Sequence, residues 1–355
     1  MSAPDTATFQ LPQWLHPQLL QGMLRGIEKE SLRMQPDGHL SQQPHPQALG
    51  SALTHPQITT DYSEALMELI TPPCDSPTAA LEQMTLLHAV VARSLPEGER
   101  LWPMSMPCML SMEDEEIPLA QYGSSNLGKF KTLYRRGLGV RYGRRMQTIA
   151  GIHYNVSFPE GFFQQWQSSV ADAQGSLQAF TSARYLGLIR NFQRLLPLVI
   201  YLLGASPVVC GCFLKGRAHD LQPLMPGNWY LPEATALRMG KLGYQNSAQR
   251  ELGIHYNDLN EYVSGLRAAT ATPFEAFAQL GLEDEQNEPL QINDHVLQIE
   301  NEYYSLIRPK QIAQSGETPA QALANRGIQY VELRAVDLDP FSPIGISLET
   351  ACFLE

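Results

Sequence analysis

The sequence predicts an α+β fold: one domain over residues 1–355, with helices flanking an antiparallel or mixed sheet. Three observations point there. Strand-like segments near residues 28, 68, 153 and 332 each carry acidic or metal-competent side chains, so nearly the whole chain is needed for one site. No repeat period, low-complexity tract or Gly/Ser linker divides the chain into modules. The regular strand–helix alternation of a parallel sheet is not visible. Composition agrees with an ordered globular chain, at 43% hydrophobic and 17% charged residues.

The strands come first. Residues two apart on a strand share a face. In 26–30 (GIEKE) Glu28 and Glu30 therefore point the same way; in 151–155 (GIHYN) so do His153 and Asn155; in 330–334 (YVELR) so do Glu332 and Arg334. The segment 61–68 (DYSEALME) pairs Glu64 with Glu68 on a strand face, although the same four-residue spacing suits a helix. Asp61 and Glu68 are an odd number apart, so an unbroken strand cannot aim both at one site. Strands are poor in acidic residues, and carboxylates converging on one face repel unless cations lie between them. Hard divalent cations with oxygen ligands meet that need, and Mg²⁺ commonly comes with substrate phosphates. Each element alone has a plain reading: a surface Glu-x-Glu strand, a hydrogen-bonded core histidine, or a simple ion pair of Glu332 with Arg334. Their joint occurrence, with Arg308 and Lys310 as phosphate-competent cations, points to a multi-metal, phosphate-handling sheet.

The helices follow. Ser76 before Pro77 marks a helix start, and the helix ends near Leu95-Pro96. Residues 102–108 (WPMSMPC) are irregular, 113–116 (EDEE) form a solvated loop, 130–138 start a helix, and 273–280 form another. The stretch 195–214 carries no charge over 20 residues, enough to span a bilayer in principle. Pro197, Gly204 and Pro207 interrupt it, and Tyr185, Leu188, Ile189, Phe192, Leu196 and Val199 recur at helical spacing upstream and into it. The reading is a core helix broken at Ser206-Pro207, then a buried strand over 208–213, and no membrane partner.

A net charge of −11 argues against nucleic acid as a general partner. The first residues show no secretory signal, and five scattered cysteines suit a reducing, cytoplasmic setting. Cys210-Gly211-Cys212 reads as small residues in a buried strand, since no second pair completes a metal site. Residues 123–129 (GSSNLGK) fit a phosphate-binding loop, but Phe130 replaces its Ser/Thr and no convincing strand precedes it; Lys129 and Lys131 could still line a phosphate path. No GxGxxG, HExxH or GxSxG motif supports dinucleotide oxidoreduction, zinc proteolysis or serine hydrolysis.

At these residues the chain resembles the proteobacterial-type glutamate–cysteine ligases. The matching stretches are 26–33 (GIEKESLR), 45–72, 102–108, 119–138, 146–159, 297–310 and 330–345 (YVELRAVDLDPFSPIG), collinear from about residue 22 onward. The resemblance implies a glutamine-synthetase-like carboxylate–amine ligase fold, its mainly antiparallel sheet flooring the active site. It implies ATP-dependent joining of the L-glutamate γ-carboxylate to L-cysteine through γ-glutamyl phosphate, the first step of glutathione biosynthesis. The family's Mg²⁺ ligands fall on Glu28, Glu30, Asp61, Glu68, His153 and Glu332, and Arg334 falls beside the transferred phosphate. Its amino-acid pocket falls on Tyr62, Tyr134, Arg135, Leu138, Ile149, Arg238, Tyr244 and Tyr304. Tyr62 is a departure where Phe is commoner, and its added hydroxyl needs a partner.

Members of this type continue beyond the PFSPIG segment, whereas 348–355 (LETACFLE) reads as the first turns of a helix without a stop signal. The expectation is a C-terminally short catalytic domain. A ligase for another amine, or an impaired ligand-binding or partner homologue, are the alternatives. Oligomeric state and the adenine contacts have no sequence signal.

Overall fold

The computed structural model describes residues 11–171, 174–243, 248–249 and 252–355. Ten strands run through them: β1 Leu24–Met34, β2 Ile58–Thr60, β3 Leu66–Ile70, β4 Arg100–Leu101, β5 Ile152–Ser157, β6 Val208–Cys210, β7 Gln222–Met225, β8 Asn228–Tyr230, β9 Ile307–Lys310 and β10 Tyr330–Val336. The main sheet has the order β2-β3-β1-β5-β10-β9, with β4 added to β1, and every pairing is antiparallel. A second sheet runs β6-β8-β7. Strands distant in sequence are thus neighbours, as a site spread over the chain requires.

Eight α-helices accompany them among the described residues: α1 Pro77–Ser94, α2 Asn126–Tyr142, α3 Glu160–Ser169, α4 Leu177–Leu203, α5 Leu259–Ala269, α6 Glu275–Ala278, α7 Pro319–Arg326 and α8 Leu348–Leu354. α1 packs on β1 and β3, and α4 on β9 and β10. They cover the sheet face of Ile27, Tyr154, Val156, Val331 and Leu333, all buried. Helix α1 begins as predicted: the Ser76 hydroxyl accepts from the Ala79 N–H, with Pro77 in the first turn. In α8, Ser347 caps the N-terminus, and Glu355 receives two hydrogen bonds from Arg25 and one from the Tyr154 hydroxyl, all at 2.7 Å.

Several sequence expectations need correction. Residues 61–68 are neither strand nor helix throughout. β2 ends at Thr60, the chain turns back with the Asp61 N–H donating to Leu66, and only then does β3 begin. Glu64 lies in that turn and does not share a face with Glu68. Its carboxylate accepts the N–H groups of His45 at 2.9 Å and Gln121 at 2.7 Å, tying down two loops. Glu64→Ala would leave two donors unsatisfied and is expected to cost roughly 2 kcal/mol, read from urea unfolding.

The helix expected over 130–138 begins earlier, because Ser125 caps it, and the one expected over 273–280 shrinks to the single turn α6. The acidic run 113–116 contains a 3₁₀ turn at Asp114–Glu116, tethered by Arg145 to Asp114 at 2.6 Å. α4 stops at Leu203 and carries Pro197 internally. It is long and apolar enough to cross a membrane by composition, and only 17% of that window is buried. Leu195, Leu198, Tyr201 and Leu202 are exposed, so its second half is no core helix. The strand expected over 208–213 covers only β6, the chain then turning at Gly211.

Candidate active site

Register places the predicted residues in a row across the uncovered sheet face. Glu30 on β1 pairs with Glu68 on β3, and Glu28 pairs with His153 on β5. Asn155 pairs with Glu332 on β10, which pairs in turn with Arg308 on β9. Because alternate residues share a face, Glu28 and Glu30, His153 and Asn155, and Arg308 and Lys310 come to the same side. The register of β10 on β5 shifts between Leu333 and Val336, just where Arg334 sits.

The side chains interlock. His153 Nδ1 lies 3.1 Å from Glu28 Oε2, and its Nε2 lies 3.6 Å from Glu30 Oε1. Asn155 Nδ2 donates to Glu28 Oε1 at 2.9 Å. Glu332 holds Lys310 at 3.1 Å and Arg334 at 3.2 Å. One ligand atom from each of Glu28, His153 and Glu332 lies within 4.8 Å of the others.

Electrostatics divide the carboxylates. Burial opposes charge on Glu332, yet Lys310 and Arg334 outweigh it and hold its carboxyl well below the usual range. Burial opposes charge on Glu28 as well, but the His153 hydrogen bond wins and lowers it. Glu30 is raised, chiefly by burial. Glu68 is raised well above its ordinary value by burial and by repulsion from Asp61, Glu28 and Glu30. Directly opposed like charges such as Glu30 and Glu68 destabilise a sheet. The set is oxygen-rich, includes one imidazole, and leaves Asn155 Oδ1 buried without a partner among the described residues. That chemistry fits hard divalent cations of the Mg²⁺ kind.

Beside this row lies a cleft of about 150 Å³. Its lining includes Glu30, Asp61, His153, Arg308 and Arg334 from the sheet side, and Tyr62, Tyr134, Arg135, Leu138, Ile149, Arg238 and Tyr304 around them. Seven of the eight expected pocket residues therefore meet in one place; Tyr244 lies outside the described residues. Arg135 donates to the Asp61 carbonyl and stacks 4.6 Å from the Tyr122 ring, which fixes the turn holding Asp61. Arg238 pairs with Asp337 at 3.0 Å and donates to the carbonyls of Arg334 and Val336 at 2.8 and 2.9 Å, bracing the end of β10.

Sequence reading missed Met146, Gln147, Asn301 and Glu302, which also line the cleft. Met146 and Gln147 lie in a 3₁₀ turn whose residues have no periodicity to betray them. Lys129, by contrast, is exposed at the start of α2, while Lys131 lies over the Tyr122 ring. No strand precedes the phosphate-loop-like segment, which serves as the Ser125-capped start of that helix.

Tyr62 is 1% exposed, and its hydroxyl has no hydrogen-bond partner among the described residues. Burial pushes its pKa up. The partner its extra oxygen calls for is absent, so Tyr62→Phe is expected to stabilise the fold by about 1 kcal/mol in urea unfolding.

A family model for glutamate-cysteine ligase matches residues 10–355. The chain is 53% identical over 340 residues to a glutamate–cysteine ligase of Alcanivorax borkumensis, covering 95% of this chain and 64% of that one. It is 51% identical to that of Serratia proteamaculans, covering 99% and 67%. A crystal structure of the Francisella tularensis glutamate–cysteine ligase in complex with AMP superposes with a TM-score of 0.88 at 42% identity, over 94% of this chain and 64% of that one. A bifunctional glutathione synthetase from Pasteurella multocida gives 0.74 at 30% identity, over 95% and 38%. The chain thus spans about two thirds of the length of the curated relatives it matches.

Proposed function

Because the chain belongs to the glutamate–cysteine ligase family, we propose that it joins the γ-carboxylate of L-glutamate to the amine of L-cysteine, with ATP as co-substrate. One observation carries this reading: Glu30, His153 and Arg334 belong both to the charged row on the sheet and to the wall of the amino-acid-sized cleft. A phosphoryl group held on the row would therefore lie next to a carboxylate held in the cleft.

A carboxylate is a poor electrophile at neutral pH, so the γ-phosphoryl group of ATP first passes to it, giving γ-glutamyl phosphate and ADP. Cysteine's amine then attacks the acyl carbon and phosphate leaves. Glu28, His153 and Glu332 would hold one Mg²⁺, with Glu30, Asp61 and Glu68 completing the ligand set. Bound there, the ions would supply neutralising charge for phosphate oxygens. Arg334 is kept firmly cationic by Glu332, Glu30 and Glu28, which outweigh its burial, and it would stabilise charge on the moving phosphoryl group. Arg308 and Lys310, on the adjacent strand, would bind the remaining phosphates. Tyr134, Leu138, Ile149 and Tyr304 would exclude water from the acyl phosphate, whose hydrolysis would waste it. The work is positioning and electrostatics, without a covalent enzyme intermediate.

The residues act as one catalytic unit in this reading, and the five free thiols suit a cytoplasmic setting. The test is a coupled assay of ADP release. Release that needs both glutamate and cysteine supports the proposal. Release with a different amine alone would replace cysteine as the substrate, and none with any amine would mark a binding homologue.

A further inference from the structure

Three of the five cysteines meet on the far side of the cleft wall. β6 ends at Cys210, and Gly211 turns the chain as its N–H donates to the Gly227 carbonyl at 2.7 Å. A Cβ at position 211 would stand 3.2 Å from the Trp229 indole nitrogen, so this tight turn favours glycine. The Cys212 N–H donates to Cys210 Sγ at 3.3 Å, and the Leu110 N–H donates to Cys212 Sγ at 3.3 Å. Cys212 Sγ also lies 3.7 Å from the Cys108 carbonyl oxygen. Cys210 and Cys212 are half-buried, whereas Cys108 is buried.

We propose that Cys210 and Cys212 form an exchange dithiol that reacts with low-molecular-weight disulfides and closes reversibly into a Cys210–Cys212 bridge. In the first step the Cys210 thiolate attacks one sulfur of RSSR. A mixed disulfide forms on Cys210, the R–S–S–R bond breaks, and RS⁻ leaves and takes up the Cys210 proton. The Cys212 thiol then gives up its proton and attacks Cys210 Sγ. The internal bond forms, the mixed disulfide breaks, and the second RS⁻ leaves as RSH. The protein dithiol is oxidised by two electrons and the reagent is reduced to two thiols.

The surroundings set the order of attack. The Cys212 side chain and nearby N–H groups draw the Cys210 pKa below the ordinary thiol value despite burial. Cys212 is pushed up by the Cys210 side chain and by burial, which suits the resolving role. Burial pushes Cys108 up to about 12, so it stays an inert thiol. The pair also reaches the cleft. The Cys212 carbonyl accepts from Arg145 at 2.7 Å, and Arg145 opens the turn Arg145–Thr148 that carries Met146 and Gln147.

The test incubates the 355-residue chain with excess 2-hydroxyethyl disulfide, quenches with acid, alkylates free thiols and maps peptides by mass spectrometry. Wild type is expected to lose two hydrogens, with Cys210 and Cys212 unalkylated in one bridged peptide. Cys212→Ser should stop at the mixed disulfide on Cys210, Cys210→Ser should leave Cys212 free to alkylate, and Cys108→Ser should match wild type. Wild type alkylated at both positions, a bridge that includes Cys108, or equal reactivity of Cys210→Ser would overturn the proposal.

Discussion

Glu332→Gln is expected to lower the proposed ligation at least about a thousandfold, since removing a charge from the proposed metal site would forfeit several kcal/mol of transition-state stabilisation. Glu332 is 1% exposed and engages Lys310 and Arg334 with its two oxygens. The amide keeps the volume and one acceptor, so the sheet should persist by circular dichroism while the ligand charge is lost. Both cations would then lose their nearest counter-charge. Glu28→Gln should act in the same direction, because it removes the carboxylate charge and one of the two oxygens that engage His153 and Asn155. Titration calorimetry with MgATP separates the causes: weakened nucleotide binding accompanies a damaged metal set, whereas intact binding would confine the loss to chemistry. Wild-type-like ligation by both variants at limiting Mg²⁺ would sink the assignment of this row.

Lys29→Met is expected to stabilise the protein by about 5 kcal/mol near pH 6, at about 1.4 kcal/mol per pKa unit. Lys29 lies on the covered face of β1, 2% exposed, and burial pulls its pKa from 10.5 down to about 7. Between pH 7 and 10.5 the unfolded chain binds a proton at this position that the folded chain does not. Stability from this group therefore rises with pH across that window, is complete above the unfolded value, and is lowest below the folded one. Methionine removes the penalty, so the gain should be full near pH 6 and vanish above pH 10.5. Urea unfolding of both proteins at several pH values checks this. A pH-independent difference would show that packing, and not the buried ammonium, sets the effect. His88 on α1 feels the same environment: burial, then the Lys29 charge, lowers it to about 4.

Asp61 and Glu68 show where sequence reading reaches its limit. Parity forbade both from one unbroken strand, and the resolution is the turn after β2, held by an Asp61–Leu66 hydrogen bond and by Arg135 from α2. That turn has no Asn-Gly or Asp-Gly signal, so only partners remote in sequence define it. Glu64 was legible as acidic but not as the acceptor of two loop N–H groups, for the same reason. The second half of α4 read as core because an uncharged run looks the same whether or not anything packs on it.

By itself the sequence determined the α+β class, with a sheet antiparallel or mixed, and the strand faces of Glu28, Glu30, His153, Glu332 and Arg334. It also supplied the helix start at Ser76, because period-two alternation, capping and the choice of charged residues are local properties. Only the tertiary structure decided which of those faces adjoin, that Glu30 stands opposite Glu68 and Glu332 beside Lys310, and that a 3₁₀ turn brings Gln147 to the cleft. Register between paired strands as distant as Asn155 and Glu332 is set by packing over the whole sheet, and no local window of sequence contains it.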